Sequence, residues 1–181
     1  MEFVKYEKYS PWHDIESLTE SDDYVNAVIE IPQGTLEKFE VSTKEDWNSI
    51  KPDLKDGQIR KLKYDGSGDE LDVFKFDGMP HAYGMIPKTF EDPMHTEKVM
   101  VHVIGEHAEK EIVVGGDQDP LDIFVLADRP LPIGQCKCKI IGVYHFVDGD
   151  EIDYKIIAVD CAFTDIDNIK EIKDLVKYQE F

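Results

Sequence analysis

The sequence lacks several features that would point to common protein classes. Its 181 residues contain only three cysteines, Cys136, Cys138 and Cys161, without C-x-x-C spacing, so reduced thiols are expected rather than a zinc or redox site. No apolar run approaches the roughly 18 residues of a membrane helix. The first residues are charged and do not resemble a secretory leader. These absences predict a cytoplasmic protein that is not inserted in a membrane.

Arginine is also scarce, with Arg60 and Arg129 the only two among 20 basic residues, whereas Asp and Glu number 39. The net charge of −19 argues against a nucleic-acid partner, because affinity for nucleic acid comes from Lys and Arg that neutralise phosphates. A polyanionic ligand would need metal ions as bridges. The length fits a single domain, predicted over residues 1–181, with residues 1–23 as an N-terminal arm.

The hydrophobic pattern predicts many short strands and one late helix. Residues 24–31 alternate between apolar and other side chains, as a half-buried strand does. Further strands are predicted at residues 36–41, 59–62, 99–104, 111–114, 123–126, 136–147 and 154–159. From residue 165 apolar residues recur at helical spacing, which predicts a C-terminal helix over residues 165–181 with Thr164 as its N-cap. This pattern indicates a mainly β protein built on a small barrel.

Two acidic clusters stand out. The segment GDQDPLD places Asp117, Asp119 and Asp122 within seven residues, and DGDEIDYK follows from Asp148 to Lys155. Neither cluster contains His or Cys, and carboxylate oxygen is the ligand that hard cations such as Mg²⁺ prefer. A lysine among these acids would repel a cation, so it indicates a ligand with negative oxygens of its own.

Strand alternation adds three charged residues to these clusters. Glu30 is the next-to-last residue of the first predicted strand, and Lys38 and Glu40 lie on one face of the next strand, so all three are predicted to line one pocket. Arg60 lies near Lys38 in the chain and is the better phosphate anchor of the two arginines, since guanidinium binds phosphate through paired hydrogen bonds.

Taken together, these segments resemble the soluble inorganic pyrophosphatases of family I, the magnesium-dependent type with a barrel fold. The resemblance covers residues 25–168, and its motifs occur in the family's order. They are IEIP at 29–32, KFE at 38–40, GQIR at 57–60, YG at 83–84, GDQDPLD at 116–122 and DGDEIDYK at 148–155. The segment at 87–93 resembles the eukaryotic branch.

The resemblance implies hydrolysis of pyrophosphate to two orthophosphates on a closed, five-stranded, OB-like barrel with flanking helices. It also implies several Mg²⁺ ions, with Mn²⁺ as a substitute, and a homo-oligomer, either a dimer or a hexamer. The implied metal ligands are Asp117, Asp122, Asp148 and Asp153, with Glu30 and Glu40 acting through water or metal. Asp119 would orient or deprotonate the attacking water, in a catalytic set with Asp117, Arg60 and Lys155. The implied phosphate contacts are Lys38, Arg60, Tyr83 and Lys155.

Two departures from the family pattern leave alternatives open. Met79 stands where the family has a tyrosine, and the sequence stops at Phe181, about where the family's C-terminal Tyr-Lys pair would begin, although Lys177-Tyr178 is a possible stand-in in reverse order. One alternative is therefore a degenerate relative that binds metal or pyrophosphate with poor turnover. Another is a noncatalytic calcium-binding module, although Leu121 and Asp122 break the EF-hand template.

Overall fold

A computed structural model describes residues 8–19, 23–61, 78–102 and 109–178, without the side chains of residues 102, 176 and 177. Within these ranges the regular secondary structure consists mainly of β-strands, which confirms the predicted mainly β fold class. In chain order they are β1 (Tyr24–Ile31), β2 (Phe39–Val41), β3 (Ile50–Pro52), β4 (Leu54–Lys55), β5 (Gln58–Ile59), β6 (Ala82–Met85), β7 (Glu97–His102), β8 (Glu109–Gly116), β9 (Asp122–Leu126), β10 (Gly134–Tyr144), β11 (Val147–Asp148), β12 (Glu151–Ile152) and β13 (Lys155–Asp160).

Five of these strands close into the predicted barrel, in the order β1-β10-β13-β9-β6. Four of the five pairings are antiparallel, whereas β9 and β13 run parallel. The interior is filled by small and branched apolar side chains, including Ala27, Ile29, Ile123, Val125 and Ala158, each of which is fully buried. This packing makes the barrel a rigid base for the side chains that project from its strands.

A second sheet of four strands, in the order β11-β12-β8-β7, lies beside the barrel. Its β11–β12 hairpin turns through Gly149, whose φ of 65° suits glycine. Strand β12 pairs in parallel with the end of β8, with Ile152 opposite Gly116. The two acidic segments predicted from the sequence therefore lie next to each other in space.

The N-terminal arm covers the outer face of β1. Trp12 and Ile15 pack with Val28, Val41 and Met85 in a second apolar cluster. The prediction that this strand is half-buried is therefore wrong, because its side chains are buried on both faces from residue 27 onward. The arm has no period that would reveal this contact in the sequence.

The predicted C-terminal helix is not confirmed. The chain instead forms two 3-10 segments, which span Ile166–Asn168 and Ile172–Tyr178. Between them Ile169 is extended, with φ −107° and ψ 112°. The last three residues of the predicted helix lie outside the described ranges.

Side-chain hydrogen bonds explain this break. The Thr164 hydroxyl donates to Asp128 Oδ2 at 2.7 Å, so it does not cap the following segment as predicted. The Asp174 carboxylate accepts hydrogen bonds from the backbone N–H groups of Lys170, at 2.9 Å, and Glu171. A local side chain thus satisfies the backbone groups that a continuous helix would have used.

All three cysteines are free thiols, as predicted. Among the described residues, no helix has the length and apolar character that crossing a membrane requires.

Candidate active site

The two acidic segments face a cavity of about 920 Å³. Ten of the eleven predicted site residues line it: Glu30, Lys38, Glu40, Tyr83, Asp117, Asp119, Asp122, Asp148, Asp153 and Lys155. Arg60 is the exception. Its side chain is half-exposed, and its guanidinium donates to Asp53 Oδ2 at 2.6 Å. The same Asp53 carboxylate lies 3.3 Å from Lys38 Nζ, so Arg60 adjoins the cavity wall without lining it.

The parallel pairing of β9 with β13 places Lys155 directly opposite Asp122. The Lys155 ammonium contacts the carboxylates of Asp122 and Asp153, and it donates to the Tyr83 hydroxyl at 3.1 Å. Burial lowers the pKa of Lys155, but the two carboxylates outweigh burial and the pKa lies above its ordinary value. Lys155 is therefore a fixed positive charge at the centre of the acids.

Glu30 lies at a bulge in β1, where the register with β6 shifts between Ile29 and Ile31. Bulges aim side chains differently from the regular alternation and are common beside active sites. Its Oε1 accepts a hydrogen bond from the Val41 N–H at 2.6 Å, and only 5% of the residue is exposed. Burial raises the pKa of Glu30 to about 8, and nearby Asp122 and Glu40 add to the shift.

The loop that carries Asp117 and Asp119 is held by the backbone at residue 91. Gln118 donates to the Glu91 carbonyl, and the Glu91 N–H donates to the Asp119 carbonyl, both at 3.0 Å. A Cβ on Gly116 would lie 2.1 Å from the carbonyl carbon of Glu91, so only glycine fits there. Asp117 Oδ1 also accepts from the Asp119 N–H at 2.9 Å. Burial, followed by repulsion from Asp117, raises the pKa of Asp119.

Sequence reasoning misses the side chain of Glu91. Its Oε1 is buried and has no hydrogen-bond partner among the described residues. Burial raises the pKa of Glu91 to about 8, with further contributions from Asp117, Asp122 and Asp153. The segment at 87–93 contains no motif with a known catalytic or metal-binding role, so the sequence does not identify this carboxylate as a site residue.

The wall of the cavity also contains residues that the sequence left unassigned. Trp12, from the arm, lines the cavity, and its indole N–H donates to the Thr89 carbonyl at 2.8 Å. Phe90 and Lys44 also line it. The arm therefore contributes to the wall of the cavity through Trp12.

Tyr178, one of the two residues suggested as a stand-in for the family's Tyr-Lys pair, does not line this cavity. The Tyr178 hydroxyl donates to Asp165 at 3.1 Å, and its ring packs edge-on against Phe163. Tyr178 lines a separate small pocket, and the side chain of Lys177 is outside what is described. Met79 is buried at 6% exposure and is absent from the cavity wall.

The donor set fits a hard divalent cation, because the described residues that line the cavity offer carboxylate oxygens and include neither His nor Cys. Within the described part of the chain, no three His, Cys, Asp or Glu side chains form a group that already closes around one ion. Mg²⁺ is typically held by one or two carboxylates together with waters and phosphates. The arrangement therefore suits Mg²⁺ beside a phosphate ligand better than a preformed calcium cage.

A cavity that combines clustered carboxylates with lysines suits a protein that acts on phosphate anhydrides or esters with hard cations. A family model described as inorganic pyrophosphatase matches residues 27–180. The chain is 30% identical to the inorganic pyrophosphatase of Mus musculus over 177 residues, which cover 96% of this chain and 54% of that protein. It is 31% identical to the mitochondrial inorganic pyrophosphatase of Saccharomyces cerevisiae, covering 90% of this chain and 49% of the relative.

The fold comparison agrees with these matches. The crystal structure of type I inorganic pyrophosphatase from P. falciparum superposes with a TM-score of 0.76 at 29% identity, covering 94% of this chain and 48% of that one. The chain therefore belongs to the inorganic pyrophosphatase family. It spans about half the length of the relatives it matches.

Proposed function

We propose that this chain hydrolyses inorganic pyrophosphate to two orthophosphates. The observation that carries the proposal is one cavity in which both acidic segments meet Lys38, Lys155 and Tyr83. Carboxylates alone would suit a cation store, whereas opposed ammonium groups suit a ligand that brings phosphate oxygens. The matched relatives are named inorganic pyrophosphatases, which supports the same substrate.

Asp119 is the proposed base. A water oxygen attacks one phosphorus, the bond from that phosphorus to the bridging oxygen breaks, and the bridging oxygen leaves with the second phosphate. The proton lost by the water passes to the Asp119 carboxylate, whose raised pKa brings it closer to the working range of a general base. Lys38, Lys155 and Tyr83 would hold phosphate oxygens and stabilise the charge that develops on the leaving group. Arg60 would act from beside Lys38.

Mg²⁺ is the proposed cofactor, in several copies, with Mn²⁺ as a substitute. Asp117, Asp122, Asp148 and Asp153 would hold it, with Glu30 and Glu40 acting directly or through water. When bound, such ions neutralise charge on phosphate oxygens and make water a stronger acid near neutral pH. A homo-oligomer, either a dimer or a hexamer, remains a prediction. A cytoplasmic location also remains a prediction, since one matched relative is mitochondrial.

The test is phosphate release from pyrophosphate with and without Mg²⁺. Asp119→Asn should lower Mg²⁺-dependent release by about a hundredfold or more, the usual contribution of a general base. Asp56→Asn makes the same chemical change at an exposed turn outside the cavity and should leave release unchanged. Pyrophosphate binding without release would favour a degenerate relative. Calcium binding without any effect of pyrophosphate would favour a noncatalytic module.

A further inference from the structure

The cavity is strongly acidic for a site that must admit an anion. Its wall carries nine carboxylates: Glu30, Glu40, Glu45, Asp117, Asp119, Asp122, Asp148, Glu151 and Asp153. Only four lysines oppose them: Lys38, Lys44, Lys51 and Lys155. The whole chain carries a further excess of negative charge, at −19. The proposed Mg²⁺ ions would offset part of this charge at the acidic clusters, and an uncompensated cation at the entrance would attract an approaching polyanion before it reaches them.

Three of the four lysines are already compensated. Lys38 lies 2.8 Å from Glu40 and 3.3 Å from Asp53. Lys155 contacts two carboxylates, as described above. Lys51 forms an ion pair with Glu45. Lys44 is exposed and forms no ion pair with any described residue.

The turn that carries Lys44 is anchored from below. Asn48, which is only 6% exposed, accepts a hydrogen bond from the Ser10 hydroxyl at 2.7 Å. Its amide donates to the Ser42 carbonyl at 2.9 Å, and the Ser42 N–H donates to the Ser49 carbonyl at 3.1 Å. Buried and satisfied polar groups of this kind hold a backbone in one conformation. Lys44 therefore has a fixed origin on the wall and a side chain without a charged partner.

We infer that Lys44 is an entry subsite that captures the phosphate groups of the anionic substrate before they reach the acidic clusters. The inference rests on the proposed function and adds a residue that neither the motifs nor the resemblance assigns. Lys44 affects the association of substrate with the protein and not the hydrolysis step. Its loss should therefore lower kcat/KM through KM and leave kcat unchanged.

The experiment compares Lys44→Gln with Lys55→Gln, which makes the same charge change on exposed β4 outside the cavity. Steady-state kinetics are measured at ionic strengths of about 10 mM and about 0.3 M, between which the screening length falls from about 30 Å to under 10 Å. Lys44→Gln should lower kcat/KM by about threefold to tenfold at the lower salt, the behaviour of a charge that steers encounter. The deficit should shrink at the higher salt, and Lys44→Arg should restore the rate.

A binding measurement separates this inference from the proposed function. Methylenediphosphonate, whose P–C–P linkage resists hydrolysis, is titrated by calorimetry into the Mg²⁺-loaded wild type and the two Gln variants. Weaker binding to Lys44→Gln alone supports the subsite even if the wild type releases no phosphate. Active wild type with equal affinities and equal kcat/KM in both Gln variants overturns the subsite and leaves the function standing. A loss confined to kcat would also overturn it.

Discussion

Replacing Glu30 with glutamine should change how the stability of the metal-free protein depends on pH. The amide has nearly the same shape, and its oxygen can still accept the hydrogen bond from the Val41 N–H. What disappears is the ionisable proton. Because the pKa is raised from 4.5 to about 8 on folding, the folded wild type keeps this proton over a pH range in which the unfolded chain has lost it.

The sign and size of the effect follow from proton linkage. Below about pH 4.5 both states of Glu30 are protonated, and no penalty exists. As pH rises towards 8 the unfolded chain ionises first, so the folded state loses stability, and above pH 8 the loss is constant. Each pKa unit corresponds to about 1.4 kcal/mol, so the full loss is on the order of 5 kcal/mol. Glu30 is almost completely buried, so little of this is screened by solvent.

The measurement is urea unfolding in EDTA from pH 5 to pH 9, for the wild type, Glu30→Gln and the surface control Glu109→Gln. The free energy of unfolding of Glu30→Gln should exceed that of the wild type by an amount that grows with pH, whereas the control should track the wild type. Curves for Glu30→Gln and the wild type that stay parallel within about 0.5 kcal/mol, the usual scatter of a surface substitution, would refute the assigned pKa.

Two further substitutions test how the cavity is held together. Gly116→Ala should cost about 1–3 kcal/mol of unfolding free energy and lower phosphate release, since the new methyl meets the backbone of Glu91. The control Gly142→Ala should cost less, because its new methyl meets only the flexible side chain of Ile172. Equal losses of stability for the two variants in thermal melts would contradict this argument. Thr89→Val removes the acceptor of the Leu121 N–H, which is 2.9 Å from the hydroxyl, and should cost about 1–3 kcal/mol, whereas Thr89→Ser should be milder. Chemical unfolding that ranks Val and Ser alike would show that this hydrogen bond is not the cause.

Much of the fold and most of the cavity could be predicted because the signals are local. The apolar runs that became β1, β9, β10 and β13 are marked by alternation and turn residues, and the barrel they form is the one predicted. Asp117, Asp119 and Asp122 lie within a single short segment, so their proximity needs no knowledge of the tertiary structure. Local patterns therefore predict a small barrel and an acidic wall, whereas closure of the barrel by five strands was implied only by the family resemblance.

The remaining features depend on contacts between distant segments. The bulge that aims Glu30 is defined by its register with β6, not by any residue in β1. The unpartnered oxygen of Glu91 is buried by packing that no motif marks. The helical period after residue 165 is present in the sequence, but Asp174 and Asp128 take backbone and side-chain hydrogen bonds that interrupt the helix. Local propensity gave way to these tertiary and side-chain contacts.

The cavity places the Lys155 ammonium among carboxylates, and the two kinds of charge depend on each other. Without a bound cation, the acids are kept together by protons and by Lys155: burial and mutual repulsion raise the pKa of Glu30 and Glu91 to about 8, while the ammonium contacts Asp122 and Asp153. A bound divalent cation would neutralise these carboxylates in place of the protons, because carboxylates bind metal ions in their deprotonated form. Lys155 would then be released from neutralising the acids and become available to phosphate. Under the proposed function, the same lysine would neutralise these acids in the metal-free protein and contact phosphate once Mg²⁺ is bound.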